Sequence, residues 1–340
     1  MTTSKKYDAP AGWHFDSFRS ESGHLIRYGF VAPPGKSKGT VVVTGGYGRH
    51  IEYYYEMINN WRDRGYSVYA MDWFGMGGSE RENKAHPHRP PTGPFVQQAR
   101  LLHEFTQNIV RPDPQNPAFL VSHSMGAHNV LRYLRLYERR TDFPYSGAIL
   151  ATPLIDINTA MVPRRLFNRL VKTANNIGWD ELPMPSARKF YNDFIQAMMF
   201  GKDAADPERD SAHERHRRET HDIHIGYPTA GWFAAALESI RVVRHPAFLE
   251  QIQTPILMIT AEKDSLVSVK AQEEAALHLP HAALIKLRGA KHGLWYDCDR
   301  VQAQVWNAVD TFAAGLCARH APRPHFAVPQ IKPAPEMRPL

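Results

Sequence analysis

The chain has 340 residues, 43% of them hydrophobic, a formal net charge of +7 and two cysteines, Cys298 and Cys317. That length supplies one large α/β domain with an insertion, or two domains. Two thiols make neither a disulfide framework nor a metal site, no block of consecutive basic residues forms a nucleic-acid arm, and no apolar run is long enough to span a bilayer. The start, MTTSKKYDAPAGW, has no apolar signal-peptide core, so a cytoplasmic protein with at most peripheral membrane contact is expected.

Residues 13–20 and 24–32 flank the turn signal Glu21-Ser22-Gly23 and predict a hairpin. Thr40-Val41-Val42-Val43-Thr44 reads as a buried strand, because β-branched residues dominate without alternation. It runs into Gly45-Gly46-Tyr47-Gly48, and 51–64 then has helical length and ends at Gly65. The alternation repeats with strands at 67–71, 118–121 and 146–151 and helices at 95–110 and 127–140. Strands at 255–260 and 283–287, a helix between them and a final helix at 301–318 complete the pattern. Strands alternating with helices predict an α/β fold with a mostly parallel central sheet and helices on both faces. Residues 156–240 interrupt the rhythm and predict a helical insertion above the carboxyl edge of the sheet, where open α/β folds bind ligands. The expected organisation is therefore a core in two parts, 1–155 and 241–320, the insertion 156–240, and a proline-rich tail, 321–340, without periodicity.

Ser122-His123-Ser124-Met125-Gly126 lies between a predicted strand and a predicted helix. A serine on so sharp a turn, with small residues two before and two after it, is a nucleophile elbow. Serine needs a base to take its proton, and the base needs a carboxylate to hold its tautomer. Asp264 follows one later strand and His292 the next, so all three residues fall at the same sheet edge. Ser124 is the expected nucleophile, His292 the general base and acid, and Asp264 its orienting carboxylate. Asp156, after the strand at 146–151, is the rival acid. The expected oxyanion donors are the backbone N–H groups of Tyr47 and Met125. Gly46, His123, Trp232 and Trp295 are candidate substrate-binding residues, although the His123 side chain is expected to point away from Ser124 into helix packing.

With these residues in place, the chain resembles an α/β-hydrolase of the lysophospholipase and monoacylglycerol lipase branch, grouped with serine aminopeptidase-like hydrolases. GGYGRH from Gly45, DWFGMGGS from Asp72, SHSMG around Ser124, AEKDSLVS around Asp264 and GAKHGLW around His292 carry the likeness, from about residue 12 to residue 312. Gly226-Tyr227-Pro228-Thr229-Ala230-Gly231-Trp232 resembles a Gly-x-Pro-Thr-x-x-Trp segment of bacterial members. There are departures: Gly45 stands where the family has histidine, Tyr47 where it has a small residue, and Ser122 and Ala127 where it has glycine. The resemblance implies a serine hydrolase that cleaves carboxylic esters through an acyl-enzyme, on monoacylglycerols, lysophospholipids or other single-chain esters. It implies a small-molecule acyl ester substrate, lipids included, no nucleic-acid partner, no cofactor, and a cap over the cleft. Acyltransferases, thioesterases and peptidases use the same triad, and a non-catalytic binding protein of this fold is the remaining alternative.

Three further readings concern the insertion. His213, His216, His221 and His224 have spacing that could ligate a metal, but the surrounding Glu214, Arg215, Arg217 and Arg218 favour a solvated charged helix, and no metal site is expected. Those arginines could instead meet a phosphate head group. Met161, Met184, Met198, Met199, Phe194 and Phe200 are candidates for an acyl channel. Asp72, before Gly75, Gly77 and Gly78, is read as turn chemistry rather than catalysis.

Overall fold

A computed structural model describes residues 5–159, 162–181 and 206–320. Eight strands form one sheet in the order β1-β2-β4-β3-β5-β6-β7-β8. The hairpin is β1 (His14–Arg19) with β2 (Leu25–Val31), and both β1–β2 and β2–β4 pair antiparallel. The remaining strands, β3 (Thr40–Thr44), β4 (Ser67–Met71), β5 (Ala118–His123), β6 (Gly147–Ala151), β7 (Ile256–Ala261) and β8 (Ala282–Leu287), are parallel to one another. β5, β6 and β7 are buried along their whole length, which is why they read as continuous apolar runs.

The helices are α1 (Tyr55–Asp63), α2 (Phe95–Phe105), α3 (Met125–Tyr137), α4 (Arg164–Asn176), α5 (Pro207–Glu219), α6 (Ala230–Val243), α7 (Pro246–Leu249), α8 (Val269–His278) and α9 (Asp299–His320). The expected helix at 51–64 begins as a 3-10 turn, Ile51–Tyr54, and the one at 95–110 ends in a π turn, Thr106–Val110. Side chains alternate across the strands, so the sheet carries a core on each face. One core joins Val42, Leu120, Leu150 and Met258 to α2, α3, α6 and α8. The other joins Val41, Val43, Val121 and Ile259 to α1 and α9.

Between β6 and β7 the described residues form α4, α5, α6 and α7. α6 crosses position 240, so the chain returns to the sheet without a break there. Its first turn explains the Gly-x-Pro-Thr-x-x-Trp segment: the Thr229 hydroxyl accepts the Trp232 N–H at 3.3 Å and starts the helix. α5 is a correction to the expected solvated helix. Arg209, Ala212, His213 and His216 on it are buried, and the Arg209 guanidinium meets Glu56, Asp206 and Asp299 at 2.7–2.9 Å. Three carboxylates from three parts of the chain make that buried charge tolerable. The residues Met161, Met184, Phe194, Met198, Met199 and Phe200, and the tail 321–340, lie outside the described residues. Among the described residues no helix is long and apolar enough to cross a membrane.

Candidate active site

β5 delivers Ser124 to its carboxyl end, and α3 begins at the next residue. The turn forces Ser124 to φ 53° and ψ −116°, a strained backbone for a residue with a side chain. Neighbouring groups hold it there: Ser124 N–H donates to Ala151 O at 3.0 Å, and Ser124 O accepts from His128 N–H and Leu154 N–H, each at 3.1 Å. Close approach dictates Gly126, where a Cβ would lie 2.5 Å from Gly45 O.

His292 and Asp264 converge on this turn from the loops after β8 and β7. His292 Nε2 lies 2.9 Å from Ser124 Oγ, and His292 Nδ1 lies 2.7 Å from Asp264 Oδ2. The Asp264 side chain is fully buried, and its other oxygen accepts the N–H groups of Leu266 and Val267 at 2.9 and 3.0 Å. A carboxylate so fixed keeps the Nδ1 proton of His292 toward itself, leaving Nε2 to accept the serine proton. Asp156, the rival, is committed elsewhere. It pairs with Arg164 and Arg244.

Around this trio the other expected residues separate. Gly46 abuts Ser124, since a Cβ on it would meet Ser124 Cβ and His123 Nδ1 at 3.1 Å. Tyr47 is buried. Its hydroxyl donates to Gly226 O at 3.0 Å and its ring meets Trp232 edge-on at 4.6 Å, so Trp232 stands beside the Gly45–Gly48 loop. Met125 heads α3, in the first turn, where helical N–H groups lack an intrahelical carbonyl.

Two expectations fail on side-chain direction. His123 is buried beneath the site, and both ring nitrogens are engaged, Nδ1 with the Tyr54 hydroxyl at 3.1 Å and Nε2 with His292 O at 3.1 Å. Its ring neighbours are Tyr54, His292 and Tyr296, so it ties separate loops together rather than packing into α3. Burial and the neighbouring His292 push its pKa well below the usual histidine value. Trp295 is buried in the core under α9, with its ring 5.8 Å from that of Trp306, and does not reach the site.

The sequence reading missed four residues. Tyr54 accepts Gly46 N–H at 3.0 Å and reaches His123, linking the loop after β3 to the Ser124 turn. Thr152 donates its hydroxyl to His292 O at 3.0 Å, beside the His123 bond. Trp73 donates from Nε1 to Gly45 O at 2.8 Å. Thr44 bonds Ser122 side chain to side chain. A readable signal existed for Thr44 and Thr152 alone, as hydroxyl residues at the ends of apolar strands.

The remaining polar clusters have structural partners. Asp72 accepts Gly78 N–H at 2.8 Å and Ile51 N–H at 3.0 Å and pairs with Arg27, as its turn reading expects. His216 Nε2 lies 2.8 Å from Tyr7 O, and the His213 ring sits between Tyr53 and Tyr296. Among the described residues no group of three or more His, Cys, Asp or Glu could hold a metal ion.

Known proteins share the family and the fold of this chain. The sequence profile of the family described as serine aminopeptidase, S33, matches residues 35–299. A probable lysophospholipase L2 from Haemophilus influenzae is 24% identical over 302 residues, 85% of this chain and 86% of its own. The monoglyceride lipase of Rattus norvegicus is 33% identical over 136 residues, 40% of this chain and 42% of its own. In three dimensions, a soluble variant of the monoglyceride lipase from Saccharomyces cerevisiae aligns with a TM-score of 0.65 at 15% identity, covering 89% of this chain and 95% of its own. The monoacylglycerol lipase of Paleococcus ferrophilus aligns with a TM-score of 0.62 at 16% identity, covering 84% and 98%. The chain belongs to the serine aminopeptidase S33 family and has the α/β-hydrolase fold.

Proposed function

We propose that this protein is a serine hydrolase that cleaves single-chain carboxylic esters of the monoacylglycerol or lysophospholipid type through an acyl-enzyme. One observation carries the reading: Ser124 Oγ, His292 and Asp264 form an unbroken hydrogen-bonded line, 2.9 and 2.7 Å long, at the end of β5. Ser124 Oγ attacks the ester carbonyl as His292 Nε2 takes its proton. The oxyanion is held by the N–H groups of Met125 and Tyr47, each worth roughly 3–4 kcal/mol of transition-state stabilisation. Collapse expels the alcohol, which receives the proton from His292. Water then repeats the sequence on the acyl-serine and releases the acid. Asp264 keeps the imidazole oriented and stabilises its cationic form.

The substrate class rests on the lysophospholipase and monoglyceride lipase relatives. Residues 156–240 are proposed to act as the cap over the cleft; Trp232 against Tyr47 supports this, because it seats that segment beside the oxyanion loop.

The test uses wild-type protein and Ser124→Ala with a fluorophosphonate probe and a panel of nitrophenyl esters, monoacylglycerol and lysophosphatidylcholine. Wild-type protein should label at one serine and turn over the esters, and Ser124→Ala should do neither while keeping its fold. A folded wild-type protein that does not label ends this reading. Release of a transacylated product in preference to free acid, when alcohols or amines compete with water, would make it an acyltransferase.

A further inference from the structure

We propose that Thr44 and Ser122 are positioning residues, whose buried hydroxyl-to-hydroxyl bond sets the spacing between the two oxyanion donors. This rests on the hydrolase reading above. The two residues are partners at the last register position of the parallel pair β3–β5. Beyond it the strands part, β3 into Gly45-Gly46-Tyr47 and β5 into His123-Ser124-Met125. One proposed donor lies three residues past each of them. The side-chain bond between Thr44 Oγ1 and Ser122 Oγ is thus the last direct tie between the strands before the oxyanion hole. Both residues are 1% exposed, so water cannot replace a missing partner without new space.

The packing around the pair leaves little freedom. A Cβ on Gly126 would lie 2.9 Å from Thr44 O and 3.1 Å from Thr44 Oγ1, so the first turn of α3 presses directly on Thr44. A hydroxyl that rotates away from Ser122 has that turn as its neighbour. The elbow pattern itself asks only for a small residue at 122, which glycine or alanine satisfies. Serine at that place, facing a threonine across the strands, adds a bond that the tight turn does not require. Oxyanion donors act through geometry, and sub-ångström displacement of a donor weakens its hold on the transition state more than its hold on substrate.

The experiment measures kcat and KM for a nitrophenyl ester in wild-type protein, S122A, S122G, T44V, T44S and T44V/S122A, with active sites counted by fluorophosphonate and Tm recorded for each. S122A and T44V should lower kcat per labelled site by roughly 10- to 100-fold with little change in KM. T44S, which keeps the hydroxyl, should stay near wild type. The double variant should be no worse than the more impaired single variant, because the bond is lost only once. Binding of a trifluoromethyl ketone, whose adduct oxygen occupies the hole, should weaken in parallel with kcat. If S122A does not fold, S122G and T44V carry the same comparison.

Unchanged kcat per labelled site, with only Tm lowered, would overturn the proposal and leave the pair as a strand fastener. Additive losses in the double variant would also overturn it, since the hydroxyls would then act separately. A wild-type protein that neither labels nor hydrolyses ends the hydrolase reading and this proposal with it. Wild-type activity with insensitive variants ends this proposal alone.

Discussion

His123 Nε2 donates to the main-chain oxygen of His292 at 3.1 Å, so the residue before Ser124 anchors the loop that carries His292. Thr152 supplies a second donor to the same oxygen at 3.0 Å. His292 is thereby fixed from its backbone as well as from Asp264. Replacing Thr152 by valine removes one tie at constant shape, and valine is no worse than threonine at the φ of 42° found there. Thr152→Val is expected to lower kcat several-fold and His123→Ala by about tenfold or more, with KM nearly constant, as loss of preorganisation requires. Steady-state kinetics beside thermal melts checks this. Unchanged kcat in both folded variants would show that Asp264 holds the imidazole unaided.

The two candidate acids separate cleanly. Asp264→Asn keeps the shape but turns an acceptor of the Nδ1 proton into a group that can present N–H, which favours the wrong tautomer. Turnover should fall about 10³- to 10⁴-fold, with thermal stability changed far less. Asp156→Asn should do the reverse. It loosens the ion pairs to Arg164 and Arg244, which join the end of β6 to α4 and to the end of α6. Both arginines reach solvent, so a cost of about 1–3 kcal/mol is expected, with turnover largely retained. Urea denaturation and ester hydrolysis on the two variants decide it, and exchanged outcomes would move the acid to residue 156.

These contrasts also mark what the sequence makes legible. Ser124, Asp264 and His292 each follow an apolar strand run, and a parallel sheet sends all such ends to one edge, so their meeting follows from topology. His123, Thr152 and Tyr54 act through pairings across strands far apart in the chain, and no local pattern encodes those. Trp295 sits in a three-residue 3-10 turn, Leu294–Tyr296, too short for periodicity to show which way the ring points. α5 shows no apolar stripe, because its buried face is made of Arg209, His213 and His216, whose partners lie in other segments. A charged helix looks solvated until those partners are known.

Tyr47 is expected to have two separable roles. Its backbone is proposed to supply an oxyanion donor, while its side chain reaches Gly226 O and Trp232. Tyr47→Phe removes only the hydroxyl bond and should cost about 1 kcal/mol of stability, with turnover kept. Tyr47→Ala removes the ring that packs on Trp232 and should cost about 3–5 kcal/mol while lowering kcat, because the loop loses its support. The ratio of rates on short and long acyl esters should shift in the alanine variant and stay constant in the phenylalanine variant. Equal effects of the two substitutions would mean that the hydroxyl, not the ring, seats this loop.

Acid should weaken the fold through its buried histidines before it touches most carboxylates. His128 is fully buried in α3; its Nδ1 faces Leu154 O at 2.7 Å and its Nε2 faces Ser239 Oγ at 2.6 Å, a hydroxyl that also accepts from Arg132 at 2.9 Å. Burial, with Arg132 close by, drops its pKa to about 3 from 6.5. His224 falls to about 4, again chiefly by burial, and His123 and His213 fall well below 6.5 for the same reason. Below pH 6.5 the unfolded chain binds protons at these rings while the folded chain does not, so stability declines as pH falls, until each folded-state pKa is passed. Each such ring contributes a slope of up to about 1.4 kcal/mol per pH unit. Urea midpoints measured from pH 7 to pH 4 should therefore drop steadily. His128→Gln can donate to Leu154 O and accept from Ser239 without titrating, so it should flatten the profile by the equivalent of one proton between pH 6 and pH 4. Parallel profiles for the variant and wild type would mean that His128 takes up its proton in the folded state, against the burial that surrounds it.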